Sequence, residues 1–302
     1  MKVTKSIITG GAGFIGSNLT DHLVKIGHKV IILDNFVSGK KANLSHHKKK
    51  NVKIVKIDIA KSKNLEKYLF GADYVFHLAG LAEIIPSIKN PKKYFINNVV
   101  GTLNVVEAAK KVKVKKLVYA ASSSCYGTPK SFPTSEKDKI DLKHPYALTK
   151  FMGEELVMRY ASIFSMPNIS FRFFNVYGPR LNTSGQYSAV IGNFLSQTKN
   201  KKPLTIVGDG KQTRDFIHVD DLINAFIQVI KSKLVNKIYN LGSGKRTSIA
   251  SIAKIFGGKK KFIPFRLGEP KNSLANISKI KKDIGWRPKI SIEEGIKKLL
   301  SS

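Results

Sequence analysis

Short, almost continuously apolar runs recur through the first 175 residues. Between them, apolar residues fall at helical spacing. The runs "SIITG" (6–10), "KVIILD" (29–34), "VKIVKIDI" (52–59), "YVFHLAG" (74–80), "KLVYAAS" (116–122) and "NISFRFFN" (168–175) read as buried strands. Ile15, Leu19, Leu23 and Ile26 line one face of a helix over 14–26, and 97–112 and 146–164 carry the same pattern. Strands alternating with helices of this length predict βαβ units and an α/β fold, a Rossmann-type doubly wound parallel sheet. Strands apolar on both faces agree, because helices cover both sides of such a sheet. Beyond about residue 175, Gly, Pro and Asn become frequent and the helices shorten. The expectation there is a smaller, irregular C-terminal substrate domain lying over the carboxyl edge of the sheet.

The first strand runs into "ITGGAGFIGSNL", where Gly10, Gly13 and Gly16 stand in a GxxGxxG pattern. Glycines at these places permit a tight turn, let the backbone approach a pyrophosphate and let the next helix pack close to the sheet. The helix N-terminus offers unpaired N–H groups and a positive dipole end to phosphates. Asp34 ends the second strand, 18 residues past Gly16. A carboxylate there accepts the hydroxyls of an adenosine ribose and repels a 2′-phosphate, which points to NAD rather than NADP. Lys40 and Lys41 follow it closely and pull the other way. Asp58, ending the third strand, is a candidate for the adenine or an ordinary turn residue.

Composition changes this picture little. The 302 residues include one cysteine, Cys125, which excludes an internal disulfide framework and fits a cytoplasmic setting. No apolar run approaches the ~20 residues that span a bilayer. The N-terminus has lysines followed by apolar residues, but glycines break that stretch, so it reads as mature protein and not a signal peptide. Charge is the unusual feature: 53 Lys and Arg stand against 20 Asp and Glu, a net +33. The lysines are spread singly and in pairs along the chain, with short runs at 48–50 and 259–261. A solvated basic surface that attracts anionic ligands accounts for this better than a nucleic-acid-binding arm.

Two stretches carry candidate chemistry. "HPYALTK" places Tyr146 and Lys150 four apart at the start of a helix, on one face. An ammonium beside a phenol favours the phenolate, which makes Tyr146 a candidate general base. "AASSSCYG" ends a buried strand in a row of hydroxyls at Ser122, Ser123 and Ser124. A Ser-rich turn explains an isolated stretch of this kind; beside a glycine loop and a Tyr-Lys pair it becomes a candidate site.

Together these stretches resemble an extended short-chain dehydrogenase/reductase, and within it the NAD-dependent nucleotide-sugar epimerases and dehydratases. "TGGAGFIG", "HLAG", "SSSCYG", "YALTK", "RFFNVYGPR", "GDGKQTRDFIHVDD", "YNLGSG" and "IGWRPK" follow the family's landmarks in the family's order over nearly the whole length. The resemblance implies a Ser122, Tyr146, Lys150 catalytic trio. It implies NAD held by Gly10, Gly13, Phe14, Ile15, Gly16, Asp34, Asn35, Asp58, Ile59, Leu78, Ala79, Tyr146 and Lys150. Residues 1–171, with 211–239 returning to them, would form the cofactor domain, and 172–210 with 240–302 the nucleotide-sugar region. The 4,6-dehydratases carry Asp and Glu where this chain has Ser123 and Ser124, and a hydroxyl cannot do a carboxyl group's acid/base work at neutral pH. The expected reaction is therefore C4 epimerisation of a UDP-hexose or UDP-N-acetylhexosamine, with a 4,6-dehydratase or UDP-glucuronate decarboxylase as alternatives. An RNA-binding relative is a further alternative, opposed by the intact trio.

By the same resemblance, Ser87, Ser122, Ser123, Tyr146, Asn175, Arg214, Arg266, Glu269 and Ser273 would meet the UDP-sugar. Arginine suits a diphosphate because its guanidinium binds oxygens in pairs. Ser273 falls where a gatekeeper flanks the sugar's C2 substituent, and a small residue there would admit an acetamido group. Glu83 and Asn276 depart from the family pattern. The helices at 97–112 and 146–164 would pair with their copies in a homodimeric four-helix bundle, with Leu103, Val106, Leu156 and Met158 as candidate seam residues. Neither specific nucleic acid nor a membrane is an expected partner.

Overall fold

The computed structural model describes residues 3–183, 190–264 and 271–301. Seven strands form one parallel sheet: β1 (Lys5–Thr9), β2 (Lys29–Asp34), β3 (Val52–Lys56), β4 (Tyr74–His77), β5 (Lys116–Ser122), β6 (Asn168–Phe173) and β7 (Lys237–Leu241), in the order β7-β6-β5-β4-β1-β2-β3. Side chains alternate across it as strand geometry requires. Ile8, Ile32, Phe76, Val118 and Phe171 enter the core on one face. Ile7, Leu33, Val75, Leu117 and Tyr119 enter the core on the other. This alternation makes every central strand read as continuously apolar.

The first face is covered by α1 (Phe14–Lys25) and by the helix Val219–Lys231, which contributes Leu222, Ile223, Phe226 and Val229. The second is covered by α2 (Gly101–Lys111) and α3 (Pro145–Phe164), which pack against one another. From β1 the chain builds outward through β2 and β3, then crosses to β4 on β1's other side. The crevice at this reversal, at the carboxyl ends of β1 and β4, is where ligands bind in open α/β sheets. A separate apolar cluster including Tyr177, Phe194, Ile206, Ile252 and Phe256 holds the C-terminal region together.

Several boundaries differ from the sequence expectation. The third strand stops at Lys56, because Ile57–Ile59 leave the sheet to line a cavity. The helix expected over 97–112 opens with a π turn, Ile96–Val100, before α2 begins. Val106 does not face outward as a seam residue: it is fully buried in the core beneath α2. Leu103 and Leu148, on α2 and α3, remain exposed, and Leu156 and Met158 are half-buried.

Candidate active site

A cavity of about 690 Å³ opens along the carboxyl ends of β1, β2, β4 and β5. At its floor lies the turn between β1 and α1. Gly10 adopts φ +71°, and a Cβ there would come within 2.7 Å of the Ala79 nitrogen. A Cβ on Gly16 would meet the Gly10 carbonyl oxygen at 2.3 Å. Only glycine lets the turn close this tightly beneath the next strand's loop. α1 begins with Gly13 as its N-cap and has no side-chain cap, so the first-turn amides reach the cavity without a competing acceptor from that residue. This bare helix end fits a pyrophosphate.

Asp34 stands at the end of β2 with both carboxylate oxygens already oriented. Oδ2 accepts from the Ala12 N–H at 2.9 Å and Oδ1 from the Phe36 N–H at 2.8 Å. Each oxygen retains a lone pair toward the cavity for a ribose hydroxyl. Asn35 and Asp58 line the same end, and the Asp58 Oδ1 accepts from Ala60 N–H at 3.0 Å. The Asn104 amide, donating to the Ile59 carbonyl at 2.8 Å, pins this loop. Phe14, Ile15, Leu78 and Ala79 complete the middle of the cavity, and Tyr146 and Lys150 close its far end. The structure thus gathers all the residues expected around NAD into one cavity, and that cavity fits the cofactor.

At the far end, Ser122 ends β5 and caps the 3-10 turn Ser123–Tyr126, accepting from Ser124 N–H at 3.2 Å. The row of hydroxyls in "AASSSCYG" is therefore a capped turn, and the cap leaves the Ser122 O–H free to donate. Ser122 stands near enough to the Tyr146 phenol to influence its ionisation. Burial holds that phenol above the ordinary tyrosine range, and Ser122 opposes this only in part. Burial brings Lys150 itself down to about 7, and only the Glu154 carboxylate opposes this. Its Nζ lies 4.4 Å from the Tyr119 ring centroid.

Other expected site residues fall outside this cavity. Ser87 does not face it: the side chain is fully buried, its hydroxyl donates to the Ile84 carbonyl at 2.6 Å and accepts from Tyr146 N–H at 3.1 Å. Ser87 therefore anchors the start of α3. Asn175 donates to the Asp215 carbonyl at 3.1 Å, and Arg214 donates to the Thr213 carbonyl at 2.9 Å. Both are half-buried, as are Ser123 and Ser273. Arg266 and Glu269 lie outside the described residues. Glu83 is exposed ahead of the short helix Ile84–Lys89. Asn276 accepts from Ser278 N–H at 2.9 Å, a role an aspartate would fill equally well.

Three residues that organise the site escape sequence reasoning. Asn98, in the π turn, accepts from Leu81 N–H at 2.8 Å and donates to the Leu81 carbonyl and Thr149 Oγ1 at 3.0 and 3.1 Å. It ties the loop after β4 to α3. Glu154 is buried one turn past Lys150 on the same face of α3. Asp215, also buried, binds the backbone N–H groups of Gly244 and Ala275, each at 3.0 Å, and joins the loops of the C-terminal region. Cys125 is buried and its thiol is pushed up to about 12, so it has no reactive thiolate at neutral pH.

A nucleotide cradle at the topological switch point, with a phenol, an amine and a hydroxyl converging at one end, defines an α/β enzyme of the dinucleotide-dependent class. Residues 6–242 match the model of the NAD dependent epimerase/dehydratase family. A putative UDP-glucose 4-epimerase of Methanocaldococcus jannaschii is 35% identical over 98% of this chain and 97% of its own. UDP-glucuronic acid decarboxylase 4 of Arabidopsis thaliana is 34% identical over 98% of this chain and 67% of its own. The structure of a UDP-N-acetylglucosamine 4-epimerase from Methanobrevibacter ruminantium in complex with UDP-N-acetylmuramic acid superposes with a TM-score of 0.94, at 34% identity, over 100% of this chain and 98% of that one. The chain belongs to the NAD-dependent epimerase/dehydratase family. Among the described residues no helix is long and apolar enough to cross a membrane.

Proposed function

We propose that this protein interconverts UDP-hexoses or UDP-N-acetylhexosamines that differ at C4, through a transient 4-keto sugar. Bound NAD supplies the hydride acceptor and, on the return, the hydride donor at that carbon. Gly10, Gly13 and Gly16, with the first turn of α1 around Phe14 and Ile15, would hold its pyrophosphate. Asp34 and Asn35 would hold the adenosine ribose, Asp58 and Ile59 the adenine, and Leu78 and Ala79 the span toward Tyr146 and Lys150.

The observation that carries the reading is the convergence of Tyr146 and Lys150 at one end of the cavity, with Ser122 beside them at the end of β5. In its phenolate form, which the Lys150 ammonium would favour, Tyr146 takes the proton of the sugar's 4-hydroxyl and returns it after the ring has turned over. Ser122 would donate to the sugar's C4 oxygen, and the Ser124 N–H fixes where that hydroxyl stands. Among the described residues the carboxylates lining the cavity are Asp34 and Asp58, both at its adenosine end. The turn beside Tyr146 offers Ser123 and Ser124 instead, so a carboxyl acid and base for expelling water are missing from the position where a dehydratase carries them.

Asn175 and Arg214, with Arg266, would grip the diphosphate, Glu269 the nucleotide ribose, and Ser273 would admit an acetylated sugar. A nucleotide held firmly and a sugar held loosely is what turnover of the sugar within one complex requires. We further infer a homodimer through α2 and α3, supported by the exposed Leu103, Leu148 and Phe164. The test is product analysis by NMR after incubation with UDP-glucose or UDP-GlcNAc. The C4 epimer should form, and Tyr146→Phe should bind NAD yet lose turnover. A stable 4-keto-6-deoxy product, or a pentose from UDP-glucuronate with no epimer from either sugar, would overturn the reading.

A further inference from the structure

Away from the cavity, three segments of the chain meet at Asp21 on the outer face of α1. His46 and His47 follow the 3-10 turn Lys41–Leu44. Both rings turn their Nε2 atoms to one carboxylate oxygen, Asp21 Oδ1, at 2.9 and 2.7 Å. The three ligand atoms lie within 4.8 Å of one another. The other carboxylate oxygen, Oδ2, pairs with Arg180 Nη2, from the loop after the strand Asn175–Tyr177. The His47 side chain is 9% exposed and that of His46 51%, so the cluster is packed on one side and open on the other. No residue of the cluster lines the cavity that holds Tyr146.

Two imidazole nitrogens and one carboxylate oxygen form a donor set for borderline divalent cations. Oxygen-only cages suit calcium and magnesium instead. The role of Arg180 is compatible with metal binding: metal-ligating carboxylates are commonly held by a hydrogen bond on their second oxygen. Guanidinium on Oδ2 leaves Oδ1 as the oxygen turned to the histidines.

We propose that Asp21, His46 and His47 bind a divalent transition-metal ion, zinc above all, with solvent completing the coordination. The site's location gives the ion a task. The segment that carries the histidines also closes over the glycine turn, since Lys40 N–H and the Asn43 side chain both donate to the Ala12 carbonyl, at 3.0 and 2.9 Å. Asn18, one turn before Asp21, donates to the Pro179 carbonyl at 2.9 Å and joins α1 to the loop of Arg180. An ion at Asp21 clips the loop after β2 to α1, beside the join between the cofactor end and the following segment.

The test uses the full, tag-free chain, stripped with a chelator and dialysed at neutral pH. Zinc sulfate is titrated by calorimetry, and thermal unfolding is followed across the same series. The proposal expects one ion per chain and a rise in Tm that saturates at one equivalent. Substituting cobalt should give the visible absorption of a tetrahedral or five-coordinate site. His46→Ala should weaken binding about tenfold or more; half-exposed as it is, this residue can be truncated without disturbing the core. His47→Ala should do the same. His22→Ala, whose ring pairs with Asp220 instead, should leave binding unchanged. Absence of saturable binding to the wild type would overturn the proposal. So would binding that survives in the His46→Ala/His47→Ala double variant, which would mark the ion as held elsewhere and the cluster as a hydrogen-bonded ion pair only.

Discussion

Glu154 and Arg172 form a buried ion pair directly behind Lys150. The Arg172 Nη2 lies 2.6 Å from Glu154 Oε1, its Nε lies 3.0 and 3.1 Å from the two carboxylate oxygens, and the side chains are 4% and 1% exposed. Ser170 donates a further bond to Oε2 at 2.9 Å. From Arg172 Nη1 the network passes to the Tyr126 hydroxyl at 2.9 Å and on to Asn240 Oδ1 at 2.7 Å. One chain of hydrogen bonds therefore links the Tyr-Lys helix, the turn capped by Ser122 and the last strand of the sheet. A buried pair gives little net stability over an apolar replacement, but an orphaned buried charge is costly. Glu154→Gln should lose about 3–5 kcal/mol in urea unfolding, and Glu154→Gln/Arg172→Met distinctly less than the sum of the single changes. Simple additivity would show that the two side chains do not act as a pair.

A second expectation concerns acid. His77 sits between two hydroxyls, Nδ1 at 2.7 Å from Thr9 Oγ1 and Nε2 at 2.9 Å from Thr102 Oγ1. Burial first, and Lys150 second, lower it to about 3. The folded chain thus keeps it neutral, while the unfolded chain takes up a proton near the ordinary value of about 6.5. Its contribution is whole above that pH and is lost as pH falls toward about 3, at about 1.4 kcal/mol per unit. The slope of unfolding free energy between these limits should flatten by that amount in His77→Gln. An unchanged slope would mean that His77 is charged in the folded protein.

Ser87 separates positioning from substrate contact. Its hydroxyl holds the Tyr146 amide and is buried away from the cleft. Removing it should loosen the first turn of α3, which carries the proposed base Tyr146. Ser87→Ala should lower kcat about tenfold with little change in KM, because small displacements of an acid/base group cost rate more than binding. A raised KM at unchanged kcat would place Ser87 against the sugar after all.

The C2 substituent tests the substrate end. Ser273 lies in the segment that passes under Thr213, whose hydroxyl donates to Asn272 at 2.7 Å, and on to Thr134, whose N–H donates to the Leu274 carbonyl at 2.8 Å. Its side chain is small and half-buried. Ser273→Tyr should suppress turnover of UDP-GlcNAc far more than that of UDP-glucose. Equal losses on both would remove Ser273 from the role of gatekeeper.

Local signals made most of this legible in advance. β2 occupies the range its apolar run predicts, 29–34, and the glycine turn, Asp34 and the Tyr-Lys pair fall together because each is encoded within a few residues. What the sequence concealed is long-range. Arg172 reaches Tyr126 across 46 residues and Tyr126 reaches Asn240 across 114, and no periodicity announces such partners. The π turn at Ile96–Val100 has the same apolar rhythm as an α-helix, so the inward placement of Asn98 could not be foreseen. At Ser87 and Lys150 the missing information is burial, which spends the hydroxyl of one on backbone groups and brings the amine of the other down.

The most direct test of the central claim follows the hydrogen at C4. UDP-glucose or UDP-GlcNAc carrying deuterium at that carbon is incubated with the enzyme and NAD, and the products are resolved by NMR. If Tyr146 removes only the hydroxyl proton and the sugar turns over within one complex, the epimer should form with its deuterium retained at C4 and none exchanged with water. Deuterium lost to solvent, or recovered at C6 of a 4-keto-6-deoxy sugar, would contradict it.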